Sequence, residues 1–267
     1  MSFLGNGVIT FFMRTPHCLF FLLLLTLGVC VAEAQTRNRK GDVKGNLRMQ
    51  LITVPDEIAA DFERLNPKAL FYHPVETVGE KSPLVIFLHG SGGSRRPIEK
   101  FEWMGEVKEF ISPGEGWPTV HILVPQSKGL WDPASLDKML DYMVETNRDI
   151  DTKRIYCIGY SMGGKGTWEW AMASPERFAA IIPKAFIPDL SGIERMTELP
   201  IWAMVGTRDS KPRSEGIPAM ERALKERGST VVRTTVFEGA NHASTAGEVK
   251  KLKGVYDWLF SHALPRP

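Results

Sequence analysis

Apolar runs and helical patterns alternate along most of the chain. The runs at 83–88, 155–158 and 200–205 are almost continuously apolar, which is typical of strands covered on both faces of a largely parallel sheet. A helix is predicted to begin at Asp132-Pro133, with the aspartate as its cap and the proline in its first turn. Its apolar residues share one face: Leu136, Met139, Leu140, Met143 and Val144. This alternation predicts an α/β fold with a mostly parallel, doubly wound sheet and helices on both faces.

Two later segments complete the pattern. A last helix is predicted through Val249, Leu252, Tyr256 and Leu259. The link between Ile187 and Pro200 joins two predicted strands and is too short to form a large lid domain. We therefore expect the end of the sheet near this link to be open to solvent.

The amino-terminal residues do not share this pattern. Residues 18–31 form an apolar run that ends in Ala32-Glu33-Ala34, which predicts a signal peptide over residues 1–34, cleaved after Ala34, with Met13 as an alternative start. The run is shorter than the ~18 apolar residues that span a bilayer, so we expect no permanent membrane anchor. Residues 35–48 are polar and contain glycine, which predicts a flexible linker before a folded domain at 49–267. The expected location is secreted or periplasmic.

Composition narrows the classes of function. The chain has 267 residues, of which 43% are hydrophobic and 24% charged, enough to bury a full core in one domain. Its net charge is +2, and the cations are spread along the chain, so no nucleic-acid partner is expected. Of the three cysteines only Cys157 follows the predicted cleavage site; it is predicted to be a buried apolar side chain without a disulfide. No group of His, Cys and carboxylate residues has metal-ligand spacing, so neither a metal nor a cofactor is expected.

A serine lies where a predicted strand turns sharply into a predicted helix. The turn is Gly159-Tyr160-Ser161-Met162-Gly163-Gly164 and directly follows the run at 155–158. Glycines two positions before and after the serine avoid the collisions that side chains would make in so tight a turn, and the serine hydroxyl stands exposed above the strand end. This context favours Ser161 as a nucleophile over an ordinary glycine-rich turn.

A serine hydroxyl is a weak nucleophile and needs a base, together with an acid that orients the base. Asp209 and His242 follow two later strands and lie on the same edge of the predicted sheet, in the α/β-hydrolase order Ser, Asp, His. Asp189, after the preceding strand, and Glu238, close to His242, are alternative acids. Asp189 follows the strand after which only some α/β-hydrolases carry the acid, so Asp209 is favoured.

Further motifs accompany the serine turn. They are Leu88-His89-Gly90-Ser91-Gly92-Gly93, Val124-Pro125-Gln126, Asp151-Thr152-Lys153-Arg154-Ile155-Tyr156, Gly164-Lys165-Gly166-Thr167-Trp168, Pro200-Ile201-Trp202 and Asp257-Trp258-Leu259. Together they resemble secreted bacterial esterases of the dienelactone-hydrolase and polyhydroxybutyrate-depolymerase-like branch, with its predicted peptidases and phospholipase/carboxylesterase relatives, over residues 66–262. The resemblance implies an α/β-hydrolase fold and a metal-independent serine hydrolase. The sequence departs from relatives at Lys165, at Lys211-Pro212-Arg213 and at Ala243, which affects the expected substrate more than the triad.

The resemblance also implies an oxyanion hole. The backbone N–H of Met162, at the start of the helix after the serine, is one expected donor. The glycine-rich loop after the run at 83–88 is expected to supply the other through Ser91 and Gly92. His89 in that loop is expected to brace it rather than to act as a base.

Three functions compete on these residues. The leading one is a serine carboxylesterase that forms an acyl-enzyme on Ser161 and acts on a small-molecule or polysaccharide-linked ester. A serine peptidase with the same triad comes second, and a non-catalytic binding protein with this fold comes third. Trp131, beside the same sheet edge, either offers a flat face for a sugar or aromatic ring of the substrate or packs into the core.

Overall fold

The computed structural model describes residues 42–76, 81–101 and 106–265. The predicted signal peptide at 1–34 and residues 35–41 of the predicted linker lie outside the described residues. All structural statements below concern the described part of the chain.

The core of the fold is a nine-stranded sheet with the order β1-β2-β3-β5-β4-β6-β7-β8-β9. The strands are β1 (Asp42–Lys44), β2 (Leu47–Thr53), β3 (Leu65–Pro74), β4 (Ser82–Leu88), β5 (His121–Ser127), β6 (Ile150–Tyr160), β7 (Ala180–Lys184), β8 (Ile201–Gly206) and β9 (Val232–Phe237). The first three strands pair antiparallel, as do β3 and β5, and the six strands β4 to β9 run parallel. The carboxyl ends of these six strands form one edge of the sheet, which we call the rim.

Helices cover both faces of the sheet. They are α1 (Asp56–Ala59), α2 (Val107–Ile111), α3 (Pro133–Thr146), α4 (Met162–Ala173), α5 (Lys211–Ser214), α6 (Gly216–Glu226), α7 (His242–Lys251) and α8 (Val255–Phe260). One buried cluster joins the sheet to α3, α4 and α6 through Leu136, Trp168 and Ile217. The second cluster joins the opposite face to α2, α7 and α8 through Phe110, Val249 and Leu259. The doubly wound α/β architecture expected from the sequence is confirmed.

Helix α3 shows how local sequence specifies an element. The Asp132 side chain accepts a hydrogen bond from the backbone N–H of Ser135 at 2.8 Å, which satisfies an N–H that has no partner within the helix. Pro133 follows in the first turn, where its missing N–H costs nothing. Four of the five residues on the predicted apolar face are buried: Leu136, Met139, Leu140 and Met143.

Two sequence-based expectations need correction. Residues 42–48 of the predicted linker form β1 and the start of β2, and Leu47 is fully buried because β2 pairs with β3 along its whole length. The single last helix is two helices, α7 and α8. Gly254, between them, has a left-handed φ of 77°, a conformation that suits glycine and that an uninterrupted helix cannot contain.

The segment between β7 and β8 contains one 3-10 turn, Ile193–Met196, and no other regular element. It therefore forms no large lid, as expected. Cys157 is buried, and burial raises the pKa of its thiol to about 12. Among the described helices, none is both long and apolar enough to cross a membrane.

Candidate active site

Ser161 lies at the rim, between the end of β6 and the start of α4. Its backbone has φ 58° and ψ −114°, which is strained for any residue with a side chain. The packing explains the neighbouring glycines. A Cβ atom on Gly163 would lie 1.9 Å from the carbonyl oxygen of Leu88, and one on Gly159 would lie 2.1 Å from the carbonyl oxygen of Gly163. The sharp turn therefore requires glycine at both positions and presents the Ser161 hydroxyl above the sheet.

The structure brings Ser161, His242 and Asp209 together in hydrogen-bonding order. His242 Nε2 lies 2.9 Å from Ser161 Oγ, and His242 Nδ1 lies 2.7 Å from Asp209 Oδ2. An ionised carboxylate only accepts hydrogen bonds, so Nδ1 carries the proton and Nε2 is left to accept from the serine. This is the tautomer in which the imidazole can remove the serine proton.

The Asp209 carboxylate is held from both sides. Its side chain is 1% exposed. Oδ1 accepts hydrogen bonds from the backbone N–H of Ser210 at 2.7 Å and from Arg213 Nη1 at 3.3 Å, while Oδ2 faces His242. Sequence reasoning missed Arg213, although its position one helical turn after the acid is a signal that could have found it.

The alternative acids lie elsewhere. Asp189 is solvent-exposed, and its carboxylate accepts a hydrogen bond from the backbone N–H of Ser191 at 2.9 Å, which lowers its pKa. The Glu238 carboxylate accepts a 3.4 Å hydrogen bond from Thr207 Oγ1. Neither carboxylate bonds to His242, so Asp209 is the acid that the geometry selects.

The glycine-rich loop after β4 lies against the nucleophile. A Cβ atom on Gly90 would be 3.6 Å from the Cβ of Ser161. Within the described residues, the N–H groups of Ser91, Gly92 and Met162 donate to no other protein atom. Unused N–H donors near a serine hydroxyl can bind an oxygen that gains negative charge, which is the role expected of these three.

His89 braces this loop, as expected. Its Nδ1 donates to the carbonyl oxygen of Gly90 at 2.7 Å, and its Nε2 accepts from the backbone N–H of Ser127 at 3.1 Å. Acceptance at Nε2 requires the neutral ring, and burial lowers the pKa of His89 accordingly. His89 has no role as the base for Ser161.

The substrate-binding role considered for Trp131 is wrong. The side chain is 4% exposed, and its indole N–H donates to the carbonyl oxygen of His89 at 3.1 Å. The indole occupies the space left by the missing side chain of Gly166, where a Cβ would lie 2.5 Å from the ring. Trp131 therefore packs beneath the loop that carries Ser91 and Gly92, and its flat faces are not available to a ligand.

Other apolar side chains near the rim are exposed. Leu130 is 50% exposed, Ile187 is 47% exposed and Leu190 is 38% exposed. Leu130 precedes Trp131, which packs against Gly166 of α4. Ile187 and Leu190 flank Asp189, and the carbonyl oxygen of Asp189 accepts a 2.8 Å hydrogen bond from Trp168 of α4. These three residues, which we call the apolar rim, thus lie on loops beside α4, the helix that follows Ser161.

Lys165, on the first turn of α4, pairs with Glu169 and not with the triad. In the described segments no group of three or more His, Cys, Asp or Glu side chains is placed to hold a metal ion.

The family comparison covers the part of the chain that carries this site. Residues 130–254 match the dienelactone hydrolase family, and the matched segment contains Ser161, Asp209 and His242. The resemblance to this family is thereby confirmed. No curated protein matches the chain.

Solved structures of hydrolases have the same fold. A thermostable esterase matches with a TM-score of 0.61 and 22% identity over 83% of this chain and 64% of its own. The acylaminoacyl peptidase of Pyrococcus horikoshii matches with a TM-score of 0.63 and 14% identity, over 83% of this chain and 43% of its own. The acetyl xylan esterase of Aspergillus awamori matches with a TM-score of 0.58 and 11% identity, over 79% of this chain and 98% of its own. This chain thus spans less than two thirds of the first two proteins, and the likeness establishes the α/β-hydrolase fold.

Proposed function

We propose that this chain is a serine carboxylesterase, in which Ser161 is the nucleophile, His242 the base and Asp209 the acid that orients the base. The observation that carries the proposal is the continuous path from Ser161 Oγ through both ring nitrogens of His242 to the buried Asp209 carboxylate, at 2.9 and 2.7 Å. A serine with this arrangement is activated for attack on a carbonyl carbon.

The proposed reaction has two halves. Ser161 Oγ attacks the ester carbonyl carbon while its proton moves to His242 Nε2, and the carbonyl oxygen becomes an oxyanion bound by the N–H groups of Met162 and of Ser91 or Gly92. As the oxyanion collapses, the bond to the alcohol breaks and the imidazolium gives its proton to the departing alkoxide. Water then attacks the acyl-enzyme by the same proton transfers, which releases the acid and restores Ser161. Asp209 stays ionised throughout and stabilises the imidazolium.

The proposed substrates are esters of small acyl groups or aromatic acids, including esters on a bulky alcohol such as a polysaccharide. Two observations support this choice. The segment between β7 and β8 contains one 3-10 turn and adds no large lid that would hinder a large alcohol. The apolar rim of Leu130, Ile187 and Leu190 offers exposed apolar surface for an acyl or aromatic group.

Export is a further part of the proposal, supported by the apolar run at 18–31 and the Ala32-Glu33-Ala34 pattern. Mass spectrometry of the protein recovered from its native host decides it. The expected mature amino terminus is Gln35, and an intact Met1 or Met13 terminus would contradict export with cleavage.

Active-site labelling tests the central proposal. A fluorophosphonate probe reacts with activated serines, so it should label the native chain and not the Ser161→Ala variant. Ser191→Ala, which removes an exposed serine, is the matched control and should label like the native chain. Failure of the native chain to label would favour a non-catalytic binding protein. A substrate panel of acyl esters, acetyl and feruloyl sugars and peptide amides then follows, in which faster turnover of amides would favour the peptidase.

A further inference from the structure

Tyr160 touches the base of the triad from the strand that carries the nucleophile. It is the last residue of β6, directly before Ser161. Its hydroxyl donates a hydrogen bond to the backbone carbonyl oxygen of His242. Its ring lies 5.4 Å from the imidazole, centroid to centroid, at an interplanar angle of 38°. The side chain therefore contacts both the main chain and the ring of His242.

The nucleophile itself is fixed without Tyr160. The backbone N–H of Ser161 donates to the carbonyl oxygen of Lys184 on β7 at 2.9 Å, and its carbonyl oxygen accepts from the N–H of Lys165 in α4 at 3.0 Å. The distance between Ser161 Oγ and His242 Nε2 therefore depends mainly on where His242 is held.

Besides the 2.7 Å hydrogen bond between its ring and Asp209, His242 is held by contacts from three directions. It is the first residue of α7, whose cap is Asn241, with reciprocal hydrogen bonds between Asn241 and Ser244. Ala240, two residues before His242, contacts the loop after β8, where its carbonyl oxygen accepts a hydrogen bond from the N–H of Arg208 at 2.9 Å. Among the described residues, Tyr160 makes the one hydrogen bond that joins the serine turn to the main chain of His242.

We propose that Tyr160 is a positioning residue that ties the first turn of α7 to the serine turn and so sets the imidazole at hydrogen-bonding distance from Ser161. This inference rests on the proposed esterase function. The imidazole is attached to the backbone through one Cβ atom, so its position follows that of the His242 backbone. A small shift of this backbone moves Nε2 away from the serine and lowers the rate of proton transfer.

The charge state of Tyr160 suits this role. Burial raises its pKa to about 12, and the Asp209 carboxylate and Glu106 add to that shift, while Arg213 and the N–H of Ala246 oppose it. At neutral pH the phenol keeps its proton and remains a donor to the carbonyl oxygen.

The chain contains a matched control for this contact. Tyr156 lies four residues earlier on β6, on the same face, and its hydroxyl donates to the backbone carbonyl oxygen of His262 at 2.7 Å. Tyr156→Phe and Tyr160→Phe therefore each remove one phenol-to-carbonyl hydrogen bond from the same strand and keep the ring. Only Tyr160 touches the triad.

The experiment compares both variants with the native chain on a short-chain ester and with the fluorophosphonate probe. For Tyr160→Phe we expect kcat and the labelling rate of Ser161 to fall about tenfold, the effect of one hydrogen bond, with KM unchanged because no substrate contact is lost. For Tyr156→Phe we expect native kcat. Thermal unfolding should report similar, small losses of stability in both variants.

Several results would overturn the positioning role. A Tyr160→Phe variant with native kcat and labelling rate contradicts it, as does an equal loss of kcat in Tyr156→Phe, which would mark a general stability effect. A rise in KM alone would make Tyr160 a substrate contact instead. If Tyr160→Phe does not fold, labelling of Tyr160→His or Tyr160→Trp, which retain a ring N–H donor, against Tyr160→Leu decides the same point. A native chain that does not label contradicts the esterase itself, which is a separate outcome.

Discussion

Arg213 contacts the oxygen of the Asp209 carboxylate that His242 does not use, at 3.3 Å from Nη1 to Oδ1. The Asp209 side chain is 1% exposed, so its negative charge is largely removed from water and depends on these partners. The same Nη1 donates to the Ser210 hydroxyl at 3.0 Å. The short helix after Asp209 thus supplies a cation to the acid of the triad.

The first prediction concerns this pair. Arg213→Gln should lower the free energy of unfolding by about 1–2 kcal/mol, because a buried carboxylate loses its charged donor and keeps the hydrogen bonds from Ser210 and His242. Urea unfolding of the two proteins measures the difference. Lys251→Gln is the control, because it breaks an ion pair with Glu248 whose lysine side chain is 72% exposed, and such a pair contributes about 0–1 kcal/mol. Equal losses in both variants would show that the Asp209 environment does not depend on Arg213.

The second prediction separates the chemistry of Ser161 from its strain. Ser161→Ala and Ser161→Gly should both lower kcat by about 10⁴-fold or more, because both remove the nucleophile. Their stabilities should differ. At φ 58° and ψ −114° a residue with a Cβ atom is strained. We therefore expect the free energy of unfolding of Ser161→Gly to be about 1 kcal/mol higher than that of Ser161→Ala.

Activity assays and thermal unfolding of the two variants provide the measurements. A variant that keeps a tenth of the native kcat would exclude Ser161 as the nucleophile. An alanine variant as stable as the glycine variant would show that the turn is not strained.

The triad could be found in the sequence because its members follow predicted strands. Ser161 and Asp209 follow the apolar runs at 155–158 and 200–205, and His242 follows the more polar β9. Parallel strands place all their carboxyl ends on one edge. The strand that the acid follows then favoured Asp209 over Asp189, and the hydrogen bond between Asp209 and His242 agrees.

Side-chain direction in loops could not be found in this way. Trp131 lies near the rim, as its position after β5 indicates, but it points inwards because Gly166 leaves room for the indole. That complementarity joins a loop residue before α3 to a glycine in α4 and becomes visible only after folding. The contact between Tyr160 and His242 is of the same kind, since the two residues lie 82 positions apart along the chain.

The hairpin at 42–48 was missed for a different reason. Its strands carry mostly polar or exposed side chains, and Leu47 is the one fully buried residue of the segment in the described structure. Such a strand is stabilised by pairing with β3 rather than by its own apolar pattern.

The third prediction concerns stability in acid. His121, at the start of β5, is fully buried and stacks on Phe71 with ring centroids 5.6 Å apart. Burial lowers its pKa from 6.5 to about 4, although Asp149, 3.6 Å from Nε2, opposes the shift. The folded protein thus binds this proton less readily than the unfolded chain does. The contribution of His121 to the free energy of unfolding is therefore constant above about pH 6.5. As the pH falls towards about 4, the free energy of unfolding decreases by about 3 kcal/mol in total.

Urea unfolding between pH 7 and pH 4 tests this effect in the native chain and in His121→Leu. Leucine is apolar and does not titrate, so the variant should lose about 3 kcal/mol less over that range than the native chain. His89 and His262, whose pKa values are also lowered by burial, remain in both proteins and contribute equally. Parallel pH curves for the two proteins would contradict the assignment.

The last prediction tests the apolar rim as the surface for the acyl or aromatic group. Leu130→Ser and Ile187→Ser each replace an apolar side chain that is 50% and 47% exposed, respectively, so little stability should be lost. Val75→Ser is the control, because Val75 is 42% exposed and follows β3, whose carboxyl end lies at the edge of the sheet opposite the rim.

Each variant of the apolar rim should lower kcat/KM for butyrate and feruloyl esters about 3- to 10-fold, the effect of losing about 1 kcal/mol of apolar contact. Acetate is too small to reach the rim side chains, so its kcat/KM should change less than about twofold. If the apolar-rim variants keep the native kcat/KM, or if Val75→Ser loses as much, the acyl group binds elsewhere. A kcat/KM of the native chain that rises steadily from acetate to laurate would contradict the preference for small acyl groups.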